Sequence, residues 1–506
     1  MKQSNQHNWK AFIATESYPF GLNRRQYKYS CLLVFPEEYT VGISNLGHQL
    51  IWKAINDRDR WMCDRIYHTN GSAIRYSMER ELYHHEFNII AFSLYYETNL
   101  IHMIDFLRFA QIGPNHRFPE RKQLLIAGGP LTDIIPELLL DYVDVVFQGN
   151  AYQAVLAFIE LYENHQLSPQ DLFASLSHVP GVCLSPYICE KYGINFSDVV
   201  RDEISFAPSK RCILSPIISS SSLFPNTALI NIAEGCPHHC TFCYIGKYGK
   251  PYRYFPTDTI IDSLDHIAKH TDIRRAGLVS AAVGAHPDID SICAAAIERN
   301  ISLTLSSVRA EDVTDIMMQT LSQSGTNTIT LAPEAGSATM RKLLGKGALT
   351  EKVLVDVIAR SQQYKLSNVK LYFMIGLPYE TMDDIIAIVT LVKKCRDVLL
   401  QIKQSPSRMG RIIVNLSVFV PKPKTPLFCK REFCPPKNAV KQSVQLLKKE
   451  LMKVGGIDFR PPSFIEALIQ STLDTNPDQG RKVLKLLYDE SLGWREALQK
   501  TKHNLG

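Results

Sequence analysis

The downstream half of the chain repeats one pattern six times, a short apolar segment followed by a longer, helix-like stretch. Strands that alternate with helices favour a parallel sheet, because each helix returns the chain to the start of the next strand. Six repeats of this kind predict a partial (β/α)6 TIM-type barrel. The six segments are ALINIAEG, GLVSAAV, SLTLSS, TITLA, VKLYFMIG and IIVNLSVFV.

The upstream half has a similar alternation, with CLLVF, NIIAFSL, QLLIAGG and DVVFQG as its strand-like segments. This pattern predicts a Rossmann-like parallel-sheet domain, so that the whole chain is of the α/β class. The Ser- and Pro-rich segment SPIISSSSLFPN favours an irregular connection, and apolar residues after Pro436 recur at helical spacing. We therefore predict a Rossmann-like domain at 1–204, a linker at 205–226, a barrel at 227–430 and a helical carboxyl-terminal extension at 431–506.

Length and charge narrow the class of protein. A chain of 506 residues is too long for one ordinary hydrophobic core, which agrees with two large domains. Its 56 basic and 50 acidic residues are scattered without a basic block, so we predict no nucleic-acid partner. The polar start MKQSNQHNWK and the lack of an apolar run of about 18 residues predict a cytoplasmic protein without a membrane partner.

Three of the twelve cysteines are clustered, in the loop that follows the first barrel segment. Cys236, Cys240 and Cys243 form a C-x3-C-x2-C pattern in EGCPHHCTFCYIG. Three thiolates from one loop suit an iron-sulfur cubane whose fourth iron stays open for a small molecule. A zinc site that includes His238 or His239 is the alternative. Cys429 and Cys434 are too few for a second cluster, and whether they bind anything stays open.

The cysteine loop, with Phe242 before its last cysteine and βα repeats after it, resembles the radical S-adenosylmethionine (SAM) superfamily over about residues 226 to 430. The resemblance implies a [4Fe-4S] cluster on the three cysteines and SAM on the open iron. It also implies reductive cleavage of SAM to a 5'-deoxyadenosyl radical, which is chemistry of the cofactor. An electron donor such as flavodoxin or ferredoxin and an unknown small-molecule or peptide substrate follow as partners.

Further residues at the ends of later barrel segments resemble SAM-contacting positions of the superfamily. Ser280 is the nearest candidate where many relatives have a Gly-Gly-Glu segment, since this chain has GLVSAAVG there. The catalytic residues themselves are left unknown. The predicted cofactor-binding residues are Phe242, Ser280, Ser306, Arg309, Glu334, Arg341, Ile375 and Gly376.

The amino-terminal segments FPEEYTVGISNLGHQL, AFSLYYETN, IAGGP and FQGN resemble the cobalamin-binding-like domain of one branch of the superfamily, within an uncharacterised group. Gly128, Gly129 and Gly149 are the candidate corrinoid contacts, because glycine lets a flat ligand approach the backbone closely. The usual Asp-x-His-x-x-Gly signature is absent, and Asp64 and His68 have a different spacing. Cobalamin without a protein imidazole, or a domain that has become a scaffold, are both open.

The leading functional hypothesis is a radical SAM enzyme that carries out methyl transfer or a rearrangement, with cobalamin as a possible second cofactor. Methylthiotransferase-like modification of tRNA or protein is a second reading, because FVPKPKTPLF resembles a segment of those enzymes. Against it, Cys31 and Cys63 are too few for their amino-terminal cluster. A sensor that binds a cluster or corrinoid without turnover is the non-enzymatic alternative.

Overall fold

The chain forms two compact units in the computed structural model. One comprises Met1–Asn226 together with Ile469–Gly506, and the other comprises Thr227–Leu468. The domain boundaries predicted from the sequence stay predictions; of the predicted linker, residues 205–212 lie outside the described part of the chain. The structure describes residues 9–21, 26–68, 76–113, 121–149, 151–164, 168–195, 213–247, 251–306, 308–401 and 410–503.

The first unit is built on a six-stranded sheet and a separate two-stranded ribbon. Its strands are β1 (Glu16–Ser17), β2 (Tyr29–Phe35), β3 (Trp61–Tyr67), β4 (Ile89–Ser93), β5 (Leu124–Gly128), β6 (Val145–Phe147), β7 (Val182–Leu184) and β8 (Ile218–Ser219). Its helices up to residue 226 are α1 (Trp9–Ile13), α2 (Tyr39–Gly42), α3 (Leu46–Asn56), α4 (Glu97–Phe109), α5 (Leu131–Ile134), α6 (Pro136–Leu139), α7 (Ala151–Glu163), α8 (Pro169–Ser177) and α9 (Pro186–Tyr192).

The six-stranded sheet has the order β3-β2-β4-β5-β6-β7, and every neighbouring pair is parallel apart from β6 and β7. This confirms the Rossmann-like prediction. After β2 the chain moves to one side to form β3, and then crosses to the other side to form β4. On doubly wound sheets, ligands bind at the carboxyl ends of the strands where the order reverses in this way. The ends of β2 and β4 are therefore the expected ligand edge of this unit.

The strand β3 was missed by the sequence analysis, because Asp64 and Arg65 interrupt its apolar run. Both side chains are fully buried. The Arg65 guanidinium donates to both carboxylate oxygens of Glu16, at 3.0 and 2.8 Å, and also pairs with Glu79. Buried charges are tolerated only when they are paired and hydrogen-bonded, and this network meets that condition. A fully buried edge strand can therefore contain charged residues here.

The second unit carries the strands β9 (Ala228–Asn231), β10 (Ala233–Glu234), β11 (Arg253–Tyr254), β12 (Arg275–Val279), β13 (Ser302–Leu305), β14 (Thr328–Glu334), β15 (Asn368–Ile375), β16 (Ile412–Val418) and β17 (Ile457–Arg460). Its helices are α10 (Tyr244–Lys247), α11 (Thr257–His270), α12 (Ile289–Glu298), α13 (Asp315–Gln323), α14 (Ala338–Leu343), α15 (Glu351–Gln363), α16 (Met382–Gln401) and α17 (Lys437–Met452).

Seven parallel strands of this unit follow one another as in an open barrel. They form the sets β9-β12-β13 and β14-β15-β16-β17, and a parallel bridge between Val308 and Leu331 joins the two sets. Along β14 and β15, buried apolar residues alternate with half-buried ones, as expected for strands with helices on one side only. The partial-barrel prediction is confirmed. The seventh strand, β17, was not predicted and pairs with β16 inside the segment expected to be helical.

The chain ends in a helical region, as predicted, formed by α18 (Phe464–Thr475), α19 (Pro477–Asp489) and α20 (Trp494–His503). Residues from Ile469 onward belong to the first unit. There, α19 packs against α4, and Arg481 pairs with Asp141 at 2.6 Å. Within the described ranges, none of the helices has the length and apolar character that a bilayer crossing requires.

Candidate metal centre

The three clustered cysteines lie in the loop between β10 and α10, and each is half-buried. The Cys243 backbone N–H donates to the Cys240 carbonyl at 3.1 Å, which makes the loop a tight turn. Burial raises the pKa of the Cys236 and Cys240 thiols, and the charge of Cys243 raises both further. The three sulfur atoms are therefore close enough to influence one another electrostatically.

Two glycines allow the backbone to approach this loop closely. A Cβ on Gly246 would lie 2.1 Å from the His238 carbonyl oxygen. A Cβ on Gly345 would lie 2.7 Å from the His239 carbonyl oxygen, and Gly345 also has φ +74°. Contacts that short are forbidden, so only glycine fits at either position. The shape of the cysteine loop thus depends on its own helix α10 and on the turn after α14.

Hydrogen bonds from Thr241 fix the loop to two other segments. Its N–H donates to Leu344 O at 3.2 Å, and its hydroxyl donates to Leu343 O at 2.7 Å. Its carbonyl accepts from the Leu427 N–H at 3.2 Å. Leu427 belongs to the FVPKPKTPLF segment, which therefore supports the cysteine loop.

The aromatic ring of Phe242 anchors the loop in an apolar cluster. The buried members of this cluster come from the ends of β14 and β15, from α14 and the turn after it, and from the segment after β16. Such packing shields the thiols from water on that side. The buried members are Ala335, Met340, Leu344, Leu377, Phe419 and Leu427.

Two cations flank Cys240. The Arg309 guanidinium Nη1 lies 3.7 Å from the Cys240 Sγ atom, while its Nη2 donates to Glu311 at 2.8 Å. Lys346 is buried, with 5% of its surface exposed, and its Nζ donates to Ala332 O at 2.6 Å and to Glu334 Oε1 at 2.9 Å. The positive charge of each lowers the pKa of Cys240 against the larger effect of burial, which raises it.

The two histidines of the loop do not complete a zinc site. His239 is exposed to solvent. His238 is half-buried, and its Nε2 lies 3.3 Å from Asp312 Oδ2. Neither imidazole is therefore held toward the thiols by an observed contact.

The cysteine loop fits an iron-sulfur cluster better than a single metal ion. Among the described residues, no three His, Cys, Asp or Glu side chains converge on one point that could hold a metal ion. Each thiolate of a cubane binds a different iron, so the sulfur atoms need not converge. Such a cluster requires deprotonated sulfur, and the cations beside Cys240 favour that form.

Several predicted SAM contacts lie at neighbouring strand ends. Ser280 follows β12 and Ser306 follows β13, and the Ser306 hydroxyl donates to Ser280 O at 3.5 Å. Glu334 ends β14 with φ +63°, a left-handed conformation that is uncommon for a residue other than glycine. Burial raises the pKa of its carboxyl group, and the charge of Lys346 partly offsets this. Their assignment to SAM stays a prediction.

Three other predicted contacts have roles within the fold. The Arg341 guanidinium donates to Ala335 O at 3.2 Å and to Gly336 O at 2.7 Å, and it lines a cavity of about 550 Å³ among α14, α15 and α16. Ile375 is fully buried, and its carbonyl accepts from Phe419 N at 2.8 Å. Gly376 has φ +81° and donates its N–H to Glu380 at 2.7 Å.

Sequence reasoning missed Lys346, Glu380 and Tyr252. A lysine in the turn GKG is typical of an exposed loop, so nothing in the sequence marked Lys346 as buried. Burial raises the pKa of Glu380 to about 7, and burial together with the charge of Cys236 raises that of Tyr252 to about 12. Glu380 comes shortly after the end of β15, and this position is a signal in the sequence that could have indicated it.

The candidate corrinoid glycines of the first unit are explained by the fold. A Cβ on Gly129, which has φ +114°, would lie 2.3 Å from the Leu94 carbonyl oxygen. Gly128 pairs with Ser93 in the sheet, and the Gly149 N–H donates to Asp133 at 2.7 Å. These contacts require glycine or tolerate it without any ligand, so a corrinoid role for the three stays a prediction.

A histidine pair lies at the ligand edge of the same sheet. The rings of His68, after β3, and His102, on α4, stack with centroids 4.3 Å apart. Burial alone would lower the pKa of His102, but the hydrogen bond and charge of Glu37 raise it. Burial and the charge of His102 lower the pKa of His68. Asp64, in contrast, is fully buried in β3 and accepts backbone N–H groups.

Cys31 and Cys63 do not form an amino-terminal metal site. They are direct neighbours on β2 and β3, and both are buried. Burial, followed by a hydrogen bond with Cys31, raises the pKa of Cys63 well above its usual value. Cys63 therefore stays protonated, and Cys31 lies buried beside it in the core.

Two sequence families match this chain. Residues 230–392 match the radical SAM superfamily, and residues 47–184 match the N-terminal region of radical SAM proteins. The first range contains the three clustered cysteines and every residue predicted to contact SAM. An uncharacterized protein of Methanocaldococcus jannaschii, MJ0966, is 27% identical over 236 residues, which are 47% of this chain and 50% of that protein. The chain thus spans about half the length of that relative.

Among solved structures, the chain is similar in fold to the radical SAM methyltransferase TsrM from Kitasatospora setae. The structure with cobalamin and a [4Fe-4S] cluster matches with a TM-score of 0.56 and 11% identity, over 94% of this chain and 100% of that one. A second TsrM structure, with tryptophan substrate and the SAM analogue aza-SAM, matches with a TM-score of 0.53 and 11% identity, over 79% and 75%. At this identity the likeness concerns the fold.

Proposed function

Because the chain belongs to the radical SAM superfamily, we propose that it is an enzyme whose [4Fe-4S] cluster is held by Cys236, Cys240 and Cys243. The observation that carries the proposal is the half-buried loop that gathers these thiols beside two cations at the mouth of a parallel barrel. The chemistry that the cofactors supply when bound is one-electron cleavage of SAM to a 5'-deoxyadenosyl radical.

The chain's own residues prepare this site in three ways. Arg309 and Lys346 offset negative charge at the Cys240 thiolate. The apolar cluster around Phe242 keeps water from one side of the loop. Ser280, Ser306 and Glu334 supply hydroxyl and carboxylate groups at strand ends, where we propose that they hold the polar groups of SAM.

We further propose that the first unit binds cobalamin and that the reaction is methyl transfer or rearrangement. The likeness in fold to a radical SAM methyltransferase solved with cobalamin bound supports this proposal. The reversal of strand order between β2 and β4 offers a suitable edge. The same proposal includes a small-molecule or peptide substrate, a cytoplasmic location and a flavodoxin- or ferredoxin-like electron donor.

The test is anaerobic reconstitution of the full chain with iron and sulfide, followed by iron analysis and by assay of 5'-deoxyadenosine from SAM. We expect about four irons per chain for a cubane cluster. Changing Cys236, Cys240 or Cys243 to Ser should remove most of the iron and abolish SAM cleavage. The matched control is Cys429→Ser, because Cys429 is exposed and not part of the loop. Equal iron in the loop variants and the control would rule out the assignment.

A further inference from the structure

Lys346 is a buried cation whose position is fixed on two sides. Its Nζ donates to Ala332 O at 2.6 Å and to Glu334 Oε1 at 2.9 Å, and only 5% of the residue is exposed. Burying an ammonium group is costly unless it is paired and hydrogen-bonded. Glu334 supplies that pairing from a left-handed backbone conformation, which itself costs free energy. Two unfavourable free-energy terms, the burial of the Lys346 ammonium group and the left-handed backbone of Glu334, therefore accompany this charge.

The charge of Lys346 is directed at one side of the cysteine loop. Its Nζ lies 5.9 Å from the centroid of the Phe242 ring. In the sequence, Phe242 lies between Cys240 and Cys243. Arg309 approaches the same thiol from another strand end, with Nη1 3.7 Å from the Cys240 sulfur. The charges of Lys346 and Arg309 both favour the thiolate form of Cys240.

Adding an electron to a thiolate-ligated cluster makes it more negative. Net charge and hydrogen bonds to the sulfur atoms are among the factors that set the reduction potential of such clusters. A buried cation interacts strongly because the surrounding dielectric is low. Cations at the Cys240 corner therefore favour the reduced state, which is the state that a radical SAM enzyme needs.

We propose that Lys346, held by Glu334, is a positioning residue that raises the reduction potential of the cluster through its charge near Cys240. The inference rests on the proposed function, since it requires that the three cysteines bind a cluster. It extends that function by naming a residue outside the ligand set that controls how readily a low-potential one-electron donor reduces the cluster.

The experiment is an anaerobic redox titration of the reconstituted full chain without SAM, with the reduced cluster followed by electron paramagnetic resonance. We expect Lys346→Met to lower the ratio of reduced to oxidised cluster about tenfold at a fixed potential, equivalent to about 59 mV for one electron. Lys346→Arg should restore most of the ratio, because it keeps the charge. The matched control is Lys342→Met, since Lys342 is exposed on the adjacent helix α14 and should titrate like wild type.

Glu334→Gln provides an opposite test. It removes the counter-charge and keeps Lys346, so the ratio of reduced to oxidised cluster should rise. If Lys346→Met does not load a cluster, this variant decides the matter, and an unchanged or lower ratio would overturn the proposal. A Lys346→Met protein that loads a cluster and titrates like wild type would overturn it as well. Failure of the wild-type chain to bind any cluster would instead reject the proposed function.

Discussion

Two buried cations show how charge pairing separates structural residues from residues with a function. Arg65 in the first unit is matched by two carboxylates, Glu16 and Glu79, and is enclosed in the core. Lys346 in the second unit pairs with one carboxylate, Glu334, and its charge also lowers the pKa of the Cys240 thiol. A cation such as Arg65, which is paired with two carboxylates inside the core, stabilises one arrangement of the chain. The charge of Lys346, in contrast, can also act on a ligand bound at the cysteine loop.

The buried carboxyl group of Glu380 makes the stability of the protein depend on pH. Burial raises its pKa from 4.5 to about 7. The hydrogen bond that its carboxylate accepts from the Gly376 N–H, at 2.7 Å, partly offsets this rise. The folded state thus binds the proton more tightly than the unfolded state. This contribution to stability is fully present below about pH 4.5 and is lost as the pH rises through 7.

We therefore expect Glu380→Gln to flatten the pH dependence of unfolding. Between pH 5 and pH 8 the variant should gain on the order of 1–2 kcal/mol in free energy of unfolding relative to wild type. Chemical denaturation of both proteins at pH 5, 6.5 and 8 measures this. Asp383→Asn is the control, because Asp383 is exposed on the next helix. Parallel curves for wild type and Glu380→Gln would contradict the prediction.

The turn after α14 supports the cysteine loop, because Gly345 lies directly against the backbone of His239 and Cys240. Gly345 and Gly325 both have left-handed φ angles, +74° and +77°. A Cβ on Gly345 would collide with the His239 carbonyl, whereas a Cβ on Gly325 would meet nothing within 4 Å. The two positions therefore separate backbone strain from collision with the loop.

Changing Gly345 to Ala should cost about 2–4 kcal/mol in stability, against about 1 kcal/mol for Gly325→Ala. The Gly345 variant should also bind less iron after reconstitution, because relief of the collision displaces the backbone at His239 and Cys240. Denaturant unfolding and iron analysis of the two variants test this. Equal stability losses together with full iron loading in both would show that the turn does not support the loop.

The sequence predicted those strands and helices whose own residues show a clear apolar pattern. The alternation of strands and helices gave the parallel sheet of the first unit and six strands of the barrel. The strand β3 was hidden because the partners that satisfy its charged residues lie outside the strand: Glu16 pairs with Arg65, and the Glu79 N–H donates to Asp64. The strand β17 is only four residues long and half-exposed, so its pattern did not stand out.

The sequence predicted some residues of the candidate site and missed others. The spacing of Cys236, Cys240 and Cys243 marked the loop, and resemblance to a superfamily pointed to Arg309. Lys346 could not be found, since burial of a lysine in a glycine-rich turn depends on the packing of β14 and α14 around it. The spacing of cysteines along the chain can indicate which residues bind a metal cluster. The charges around those residues depend on tertiary structure, so the sequence alone does not show them.

For the whole molecule, the end of the chain returns to the first unit. The buried side of α19 includes Val483, Leu484 and Leu487, and this helix packs against α4. The Leu487 carbonyl also accepts from Arg108 on α4 at 3.2 Å. Helical periodicity predicted α19 itself, but it contains no information on which distant helix becomes the partner. The amino-terminal half should therefore need the last residues of the chain for full stability.

Leu487→Ala tests this dependence. Truncating a leucine that is 3% exposed should cost about 2–4 kcal/mol, because it leaves a cavity beside α4. Hydrogen exchange should become faster in α4 and stay unchanged in β15 of the second unit. Lys485→Ala, on the exposed side of the same helix, should change stability by less than about 0.5 kcal/mol. Faster exchange in β15 with α4 unaffected would show that α19 stabilises the barrel instead.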